Sequence, residues 1–170
     1  READLAVHSL KDVPVTMPLV AQDDLVIEAY PPREDPRDVL VSLKAQSIGQ
    51  LPRGALVGTT SLRRQCQLLA LRPDLRIEPL RGNVDTRLRK LDEGQYHAIV
   101  LAAAGLRRLG WKDRIQQLIP VDVMCPAVGQ GALAIETRDD GQEAHQIAAK
   151  LDHPATRIAV TAERALLKAL

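Results

Sequence analysis

The chain has 170 residues, 45% of them hydrophobic, which suffices for a packed core and excludes a disordered segment. Its formal charge is only +1, aromatic residues make up 2% and Phe is absent, so base stacking on aromatic platforms, and with it nucleic-acid binding, is not expected. No apolar run approaches the ~20 residues of a membrane span, and no secretory signal is recognised. Residues 5–9 read as a buried strand, followed by a loop bounded by Pro14 and Pro18. Residues 25–30 read as a second strand. Pro31-Pro32 marks a turn or hinge, and residues 38–42 form the next strand.

From Ala55 the pattern is strand, helix, strand, helix, strand, helix, which implies a parallel sheet with helices on its faces. The first helix shows Leu62, Cys66, Leu69 and Ala70 on one apolar face, which places Cys66 in the core, and Pro73 closes it. A strand at 77–80 precedes the second helix. That helix has Asn83 as N-cap, Asp85 in the first turn, Val84, Leu88 and Leu91 inward, and Gly94 as its stop. After a strand at 98–104, the third helix is predicted from Trp111, Ile115, Leu118 and Ile119, ending at Pro120. Residues 121–126 are a second crossing with a proline. A strand at 132–136 follows Gly129-Gln130-Gly131. A helix carries Ala144, Ile147, Ala148 and Leu151, and a last helix starts near Thr156 beyond Asp152-His153-Pro154. Two crossings, near residues 31 and 124, give the layout of a two-domain clamp with a cleft between its halves.

Charge is unevenly spread. From Arg53 to Arg114 there are eleven arginines and two lysines against six acids, a net charge of +7, and the remainder carries −6. Arginine outnumbers lysine seventeen to six, which suits two-point recognition of carboxylate or phosphate. These arginines follow predicted strands: Thr59-Thr60-Ser61-Leu62-Arg63-Arg64, Arg81-Gly82-Asn83-Val84-Asp85-Thr86-Arg87 and Gly105-Leu106-Arg107-Arg108. Open α/β sheets bind ligands beyond the carboxyl ends of their strands. One such turn is as readily a capped helix with exposed arginines; three in succession point to a ligand with several negative charges.

Asp12, after the first strand and beside Lys11, is the candidate acid–base group. A carboxylate there can stabilise a developing cation or shuttle a proton. Taken alone, an ordinary turn Asp is the commoner reading. His8 reads as filling a polar niche, and nothing near Cys125 argues for a nucleophile. Cys66 and Cys125 make neither a zinc spacing nor a disulfide framework, so a reducing cytoplasm is expected. Gly129-Gln130-Gly131 is no dinucleotide fingerprint, and no metal-ligand set is evident.

These segments together resemble one family. Ala6-Val7-His8-Ser9-Leu10-Lys11-Asp12-Val13-Pro14 resembles the active-site segment of the porphobilinogen deaminases (hydroxymethylbilane synthases). Arg33-Glu34-Asp35-Pro36-Arg37-Asp38, residues 58–64, 80–87, 101–110 and 126–132, and Thr161-Ala162-Glu163-Arg164-Ala165 match in order, covering nearly the whole chain. The resemblance implies an α/β fold: two periplasmic-binding-protein-like domains with mainly parallel sheets around a central cleft, and a third domain mostly missing. It places residues 1–30 and 127–152 in a partial first domain, 33–121 in the second, and 154–170 at the start of the third.

The implied activity is that of a transferase of haem and tetrapyrrole (porphyrin) biosynthesis. It joins four porphobilinogen units with release of ammonia to give hydroxymethylbilane. Asp12 matches the catalytic aspartate. Ser9, Lys11, Thr59, Ser61, Arg63, Arg64, Arg81, Gly82, Arg87 and Arg108 match positions that contact cofactor or substrate, and Gln130 is a weaker carry-over. The family's cofactor is a dipyrromethane, thioether-linked to a cysteine in a Gly-Gly-Cys turn. That turn is expected beyond Leu170, and neither Cys66 nor Cys125 takes its place. We therefore expect a fragment truncated at both ends, without turnover by itself. The expected partners are porphobilinogen and the growing linear polypyrrole, with no nucleic acid and no membrane, for a cytoplasmic monomer. The alternative is a non-catalytic small-anion-binding domain of periplasmic-binding-protein type.

Overall fold

The computed structural model describes residues 3–16 and 25–170. Pro18, one limit of the expected loop, lies outside the described residues. The chain forms two compact units, one of residues 1–36 with 127–170 and one of residues 37–126.

The first unit is built on three strands: β1 (Leu5–Ser9), β2 (Leu25–Ala29) and β8 (Leu133–Arg138), in the order β1-β8-β2. Both pairings are antiparallel, with Val7 opposite Ile135 and Val26 opposite Thr137. Helix α4 (Glu143–Ala149) packs on β2 and β8 and buries Ala148 against Ala29 and Ile135. Helix α5 (Pro154–Ala169) starts with Pro at its first position and His153 as its cap, an arrangement suited to a helix start. It buries Val160 with Leu10, Tyr30, Ala132 and Ala134. Arg33 forks onto Glu163 at 2.5 and 3.1 Å, and Arg164 donates to the carbonyls of Val13 and Pro14. Residues 129–131 form a tight turn, in which Gly131 has φ +88° and its Cα lies against the backbone of Glu34 and Asp35.

The second unit holds a five-stranded sheet in the order β5-β4-β6-β3-β7. Its strands are β3 (Asp38–Ser42), β4 (Leu56–Gly58), β5 (Arg76–Glu78), β6 (Ala98–Ala102) and β7 (Gln117–Leu118). β4 runs parallel to β5 and β6, while β3 is antiparallel to both β6 and β7. An antiparallel sheet in the first unit and a mixed one in the second therefore replace the mainly parallel sheets expected from strand–helix alternation, because β8 and β3 each pair with strands that run the other way. Period-2 alternation splits the core. Leu40, Val57, Ala98 and Val100 face one cluster with Leu68, and Val39, Val41, Ile99 and Leu101 face the other with Leu88, Leu91 and Leu106. All five residues of β3 are buried, as a strand covered on both faces requires.

Helices α1 (Leu62–Leu71) and α2 (Val84–Asp92) form where expected. Asn83 caps α2 by accepting from the Thr86 N–H at 2.9 Å, and Gly94 at φ +76° follows its end. Two expectations fail. The inward face of α1 is Arg64 and Leu68, whereas Leu62 is 75% exposed and Cys66 is exposed. Counting apolar residues alone rotated the helix, because a buried arginine occupies the core face. The third helix is also misplaced. α3 spans Ala103–Arg108, and residues 111–119 form a single 3-10 turn (Lys112–Arg114) and then β7. Gly110 at φ +78° ends α3. The unpaired edge of β3 then recruits the following backbone: Gln116 N–H donates to Leu40 O and Ile119 N–H to Asp38 O. Trp111, Ile115 and Leu118 still pack on the second cluster, so helical spacing here reflects a shared core rather than a helix.

Candidate functional site

In the second unit, the parallel strands β4 and β5 each end in a capped helix start. Thr59, buried after β4, accepts the Ser61 N–H on its hydroxyl at 3.1 Å. Ser61 then caps α1 by accepting from the Arg64 N–H at 3.4 Å. After β5, Gly82 has φ +119° and packs so closely on Thr86 that a Cβ would lie 2.7 Å from its methyl. This closeness folds the 81–83 turn onto α2 and places Arg87 where its Nε donates to Gly82 O at 2.8 Å. The terminal nitrogens of Arg87 have no hydrogen-bond partner among the described residues. Arg81 is exposed, and its guanidinium likewise has no partner among them.

Arg63 and Arg64, in the first turn of α1, converge on Asp38, the first residue of β3. Asp38 is fully buried. Its Oδ1 accepts from Arg64 Nε at 3.0 Å and Nη2 at 2.8 Å, and its Oδ2 from Arg63 Nη1 at 2.7 Å. Arg64, only 6% exposed, also donates to Val100 O, while Arg63 Nη1 reaches Cys125 O at 2.5 Å. Burial pushes the Asp38 carboxyl up, but Arg64 and Arg63 outweigh it and hold the group below the usual carboxylate range. Burial lowers the Arg64 guanidinium, Asp38 opposes that, and Arg63 and Arg87 add repulsion. Arg63 and Arg64 thus share one carboxylate, with Arg87 close enough to repel Arg64, at the positive end of a ten-residue helix whose first turn has no acid. Residual positive charge and N-terminal N–H groups suit the carboxylates of an anionic ligand.

β6 stops at Ala102, so Arg108 ends α3, about 9 Å along the helix axis from the strand end. The 59–64 and 81–87 turns contribute to one electrostatic neighbourhood through Arg63, Arg64 and Arg87.

In the first unit, Ser9 and Lys11 are exposed around a 3-10 turn (Leu10–Asp12) that follows β1. Asp12 is exposed and has no hydrogen-bond or ion-pair partner among the described residues. Leu10 anchors the turn, fully buried, with its N–H on Ala132 O, and Gly129 at φ +69° packs directly on its side chain. Gln130 is 1% exposed, and its amide donates to Pro36 O at 2.6 Å. Its carbonyl accepts from Arg33 Nε, so Gln130 ties the 129–131 turn to the 33–36 segment. His8 meets Glu136 at 3.1 Å across β1 and β8.

Asp38 is the residue that sequence reasoning passed over as a site member. Its signal was present: a carboxylate opening the otherwise apolar run Asp38-Val39-Leu40-Val41-Ser42 must find a cation if the strand is buried. Among the described residues no group of three or more His, Cys, Asp or Glu could hold a metal ion. No helix among them is long and apolar enough to cross a membrane.

The fold is like that of the periplasmic binding proteins. It is similar to a putative methionine-binding lipoprotein of Bacillus subtilis (TM-score 0.52, 12% identity, 79% of this chain and 64% of the other). It is also similar to the methionine binding protein MetQ (TM-score 0.52, 17% identity, 82% and 66%). At these identities the likeness concerns the fold alone. The sequence is more specific: residues 1–146 match the family model "Porphobilinogen deaminase, dipyromethane cofactor binding domain". The porphobilinogen deaminase of Brevibacillus brevis is 55% identical over 170 residues, all of this chain and 54% of that protein. That of Roseiflexus sp. (strain RS-1) is 58% identical over 164 residues, 96% and 53% respectively. The chain belongs to the porphobilinogen deaminase family. It spans about half the length of the curated relatives it matches.

Proposed function

We propose that this chain forms part of an enzyme of tetrapyrrole biosynthesis, a transferase that joins four porphobilinogen units with loss of ammonia to give hydroxymethylbilane. Family membership sets the reaction class, and the observation that carries the reading is the cationic cluster at the start of α1 and α2. Each pyrrole of substrate and product carries an acetate and a propionate, so the growing chain is a polyanion. Arg63, Arg81, Arg87 and Arg108, with Ser61, Thr59 and the close-approach position Gly82, hold those carboxylates in this reading, and Arg64 adds its charge from its buried place on Asp38; Ser9, Lys11 and Gln130 are the proposed contact positions of the first unit, taken by itself. Loss of ammonia leaves an electron-poor, cationic pyrrole. Asp12, exposed and unpartnered among the described residues, is free to accept a pyrrole N–H and to stabilise that cation.

The same donor set fits a dipyrromethane, which also carries carboxylates. Arg81 and the terminal nitrogens of Arg87 have unused donors for it, and α1 and α2 offer two capped N-termini. When bound, that group supplies the primer to which pyrrole units are added. Its thioether cysteine is placed outside this chain, since Cys66 and Cys125 lie in no Gly-Gly-Cys turn. The location is proposed to be the cytoplasm and the protein a monomer, with no nucleic-acid or membrane partner. Residues 154–170 are proposed to begin a third domain.

The test is a polypeptide of the relatives' length that carries this chain. It should consume porphobilinogen and show an intact mass raised by one dipyrromethane. Asp12→Asn should abolish turnover while the circular dichroism spectrum is unchanged. Near-normal turnover removes Asp12 from the chemistry. Anion binding without turnover and without added mass would instead favour a non-catalytic binding domain.

A further inference from the structure

Asp12 is placed by its backbone alone. Its side chain has no hydrogen-bond or ion-pair partner among the described residues, so the 3-10 turn Leu10–Asp12 sets where the carboxylate stands. That turn is closed by one bond, Val13 N–H to Leu10 O at 3.1 Å, and so short a turn does not hold its shape by itself. Resting on the function proposed above, we infer that Arg164 is a positioning residue for the reaction: from α5 it locks the chain just after Asp12 and so fixes where the carboxylate meets the reacting pyrrole.

The turn is held on both sides by adjacent residues of one helix. Before Asp12, Leu10 is buried, its N–H donates to Ala132 O at 3.0 Å, and Gly129 packs on its side chain. Glu163 accepts the Gly129 N–H at 2.8 Å, and its carboxylate is the one that Arg33 forks onto. After Asp12, Arg164 Nη1 donates to Val13 O at 3.0 Å and Nη2 to Pro14 O at 2.6 Å. Among the described residues these two carbonyls have no other hydrogen-bond partner, and Pro14 has no N–H of its own to offer. Successive helix residues point about 100° apart, which lets Glu163 and the half-buried Arg164 reach different segments. A planar guanidinium on two consecutive carbonyls fixes the direction of the segment as well as its distance, which a single ammonium does not. A carboxylate that meets charge developing in a transition state gains from this, because a misplacement of ~1 Å can cost about 10²-fold in rate.

Arg164→Met removes both donors and keeps an unbranched stem. In the relatives'-length polypeptide, kcat for porphobilinogen consumption should fall tenfold or more with KM within about threefold, the pattern of an interaction felt only in the transition state. Arg164→Lys, with a donor for one carbonyl, should recover kcat at least threefold over Arg164→Met. A raised KM with unchanged kcat would place Arg164 on the ligand and overturn the inference; so would a kcat within twofold of wild type.

Hydrogen exchange reads the positioning without turnover. In the same polypeptide, amide exchange of residues 11–13 should be at least tenfold faster in Arg164→Met than in wild type, with exchange across residues 133–138 of β8 unchanged. A change of less than twofold at residues 11–13 overturns the inference. Acceleration spread equally over β8 overturns it too, since Arg164 would then support the whole unit rather than the turn. If Arg164→Met does not fold, Arg164→Lys carries the same comparison, with at least a threefold change expected. If the wild-type polypeptide does not consume porphobilinogen, the proposed function fails instead, and faster exchange confined to residues 11–13 still supports the lock.

Discussion

Replacing Arg64 by Met tests whether the buried charge cluster is held by pairing. The substitution keeps a long apolar stem for the contacts around Leu68 and removes three donors: two to Asp38 Oδ1 and one to Val100 O. Asp38 is fully buried and keeps its contact with Arg63. Removing one partner of a buried pair costs about 3–5 kcal/mol, and the surviving Arg63 contact places this case near 3. The pH dependence is the sharper part. In the wild-type chain Asp38 lies below its ordinary carboxylate range. Its ionised form therefore adds stability above the unfolded pKa of about 3.9, and that stability is lost only as pH falls through the lower folded value. Without Arg64 the opposing effect of burial gains the upper hand and the carboxyl moves up. The variant then gains relative stability as the pH falls and Asp38 takes a proton, at about 1.4 kcal/mol per unit of pKa difference. Urea unfolding followed by Trp111, the single tryptophan and part of the second unit's core, reads this directly. The stability gap between wild type and Arg64→Met should be largest near pH 7 and shrink towards pH 4. A gap below 1 kcal/mol, or one that stays constant with pH, refutes the reasoning.

Gly131→Ala should destabilise the first unit by roughly 3 kcal/mol or more, because a Cβ there runs into the Glu34 carbonyl at a positive φ. Gly141→Ala, also at positive φ but with open space around it, should cost only about 1 kcal/mol; equal melting temperatures for the two would contradict the packing argument. Asn83→Ala should cost about 1 kcal/mol through loss of the α2 cap, and Asn83→Asp should restore it in the same urea titration. Both thiols should react with a thiol reagent in the folded chain, since Cys66 and Cys125 are exposed; a titre of one would return Cys66 to the core.

Much of the architecture is legible because local rules and the fold agree. Asn83, Asp85, Val84, Leu88, Leu91 and Gly94 each say the same thing about α2, and the helix stands where they put it. Proline pairs and apolar runs likewise mark the strands. The errors occur where a long-range partner decides. Trp111, Ile115 and Leu118 have helical spacing, but the edge of β3 needed hydrogen bonds and drew residues 116–119 into an extended path. No local window contains that demand.

The same reasoning explains why the arginine turns were visible and their organisation was not. Positions after strand ends are a property of short segments, so Arg63, Arg64, Arg81 and Arg87 could be picked out singly. That Arg63 and Arg64 are already committed depends on a carboxylate more than twenty residues away in sequence. Arg64 shows the consequence. It is a charged residue on the core face of α1, and a hydrophobicity count places Cys66 inward in its stead. A buried arginine is tolerated only where its charge and donors are met, and here Asp38 and Val100 O meet them. The cost of burying that pair is repaid in geometry: Arg63 is held at the mouth of α1 by the carboxylate whose charge stabilises Arg64. An apolar pair in place of Asp38 and Arg64 could make the unit as stable, but it would take from Arg63 its bond to the Asp38 carboxylate. The buried charges are thus better understood as fixing the arginines at the start of α1 than as stabilising the core.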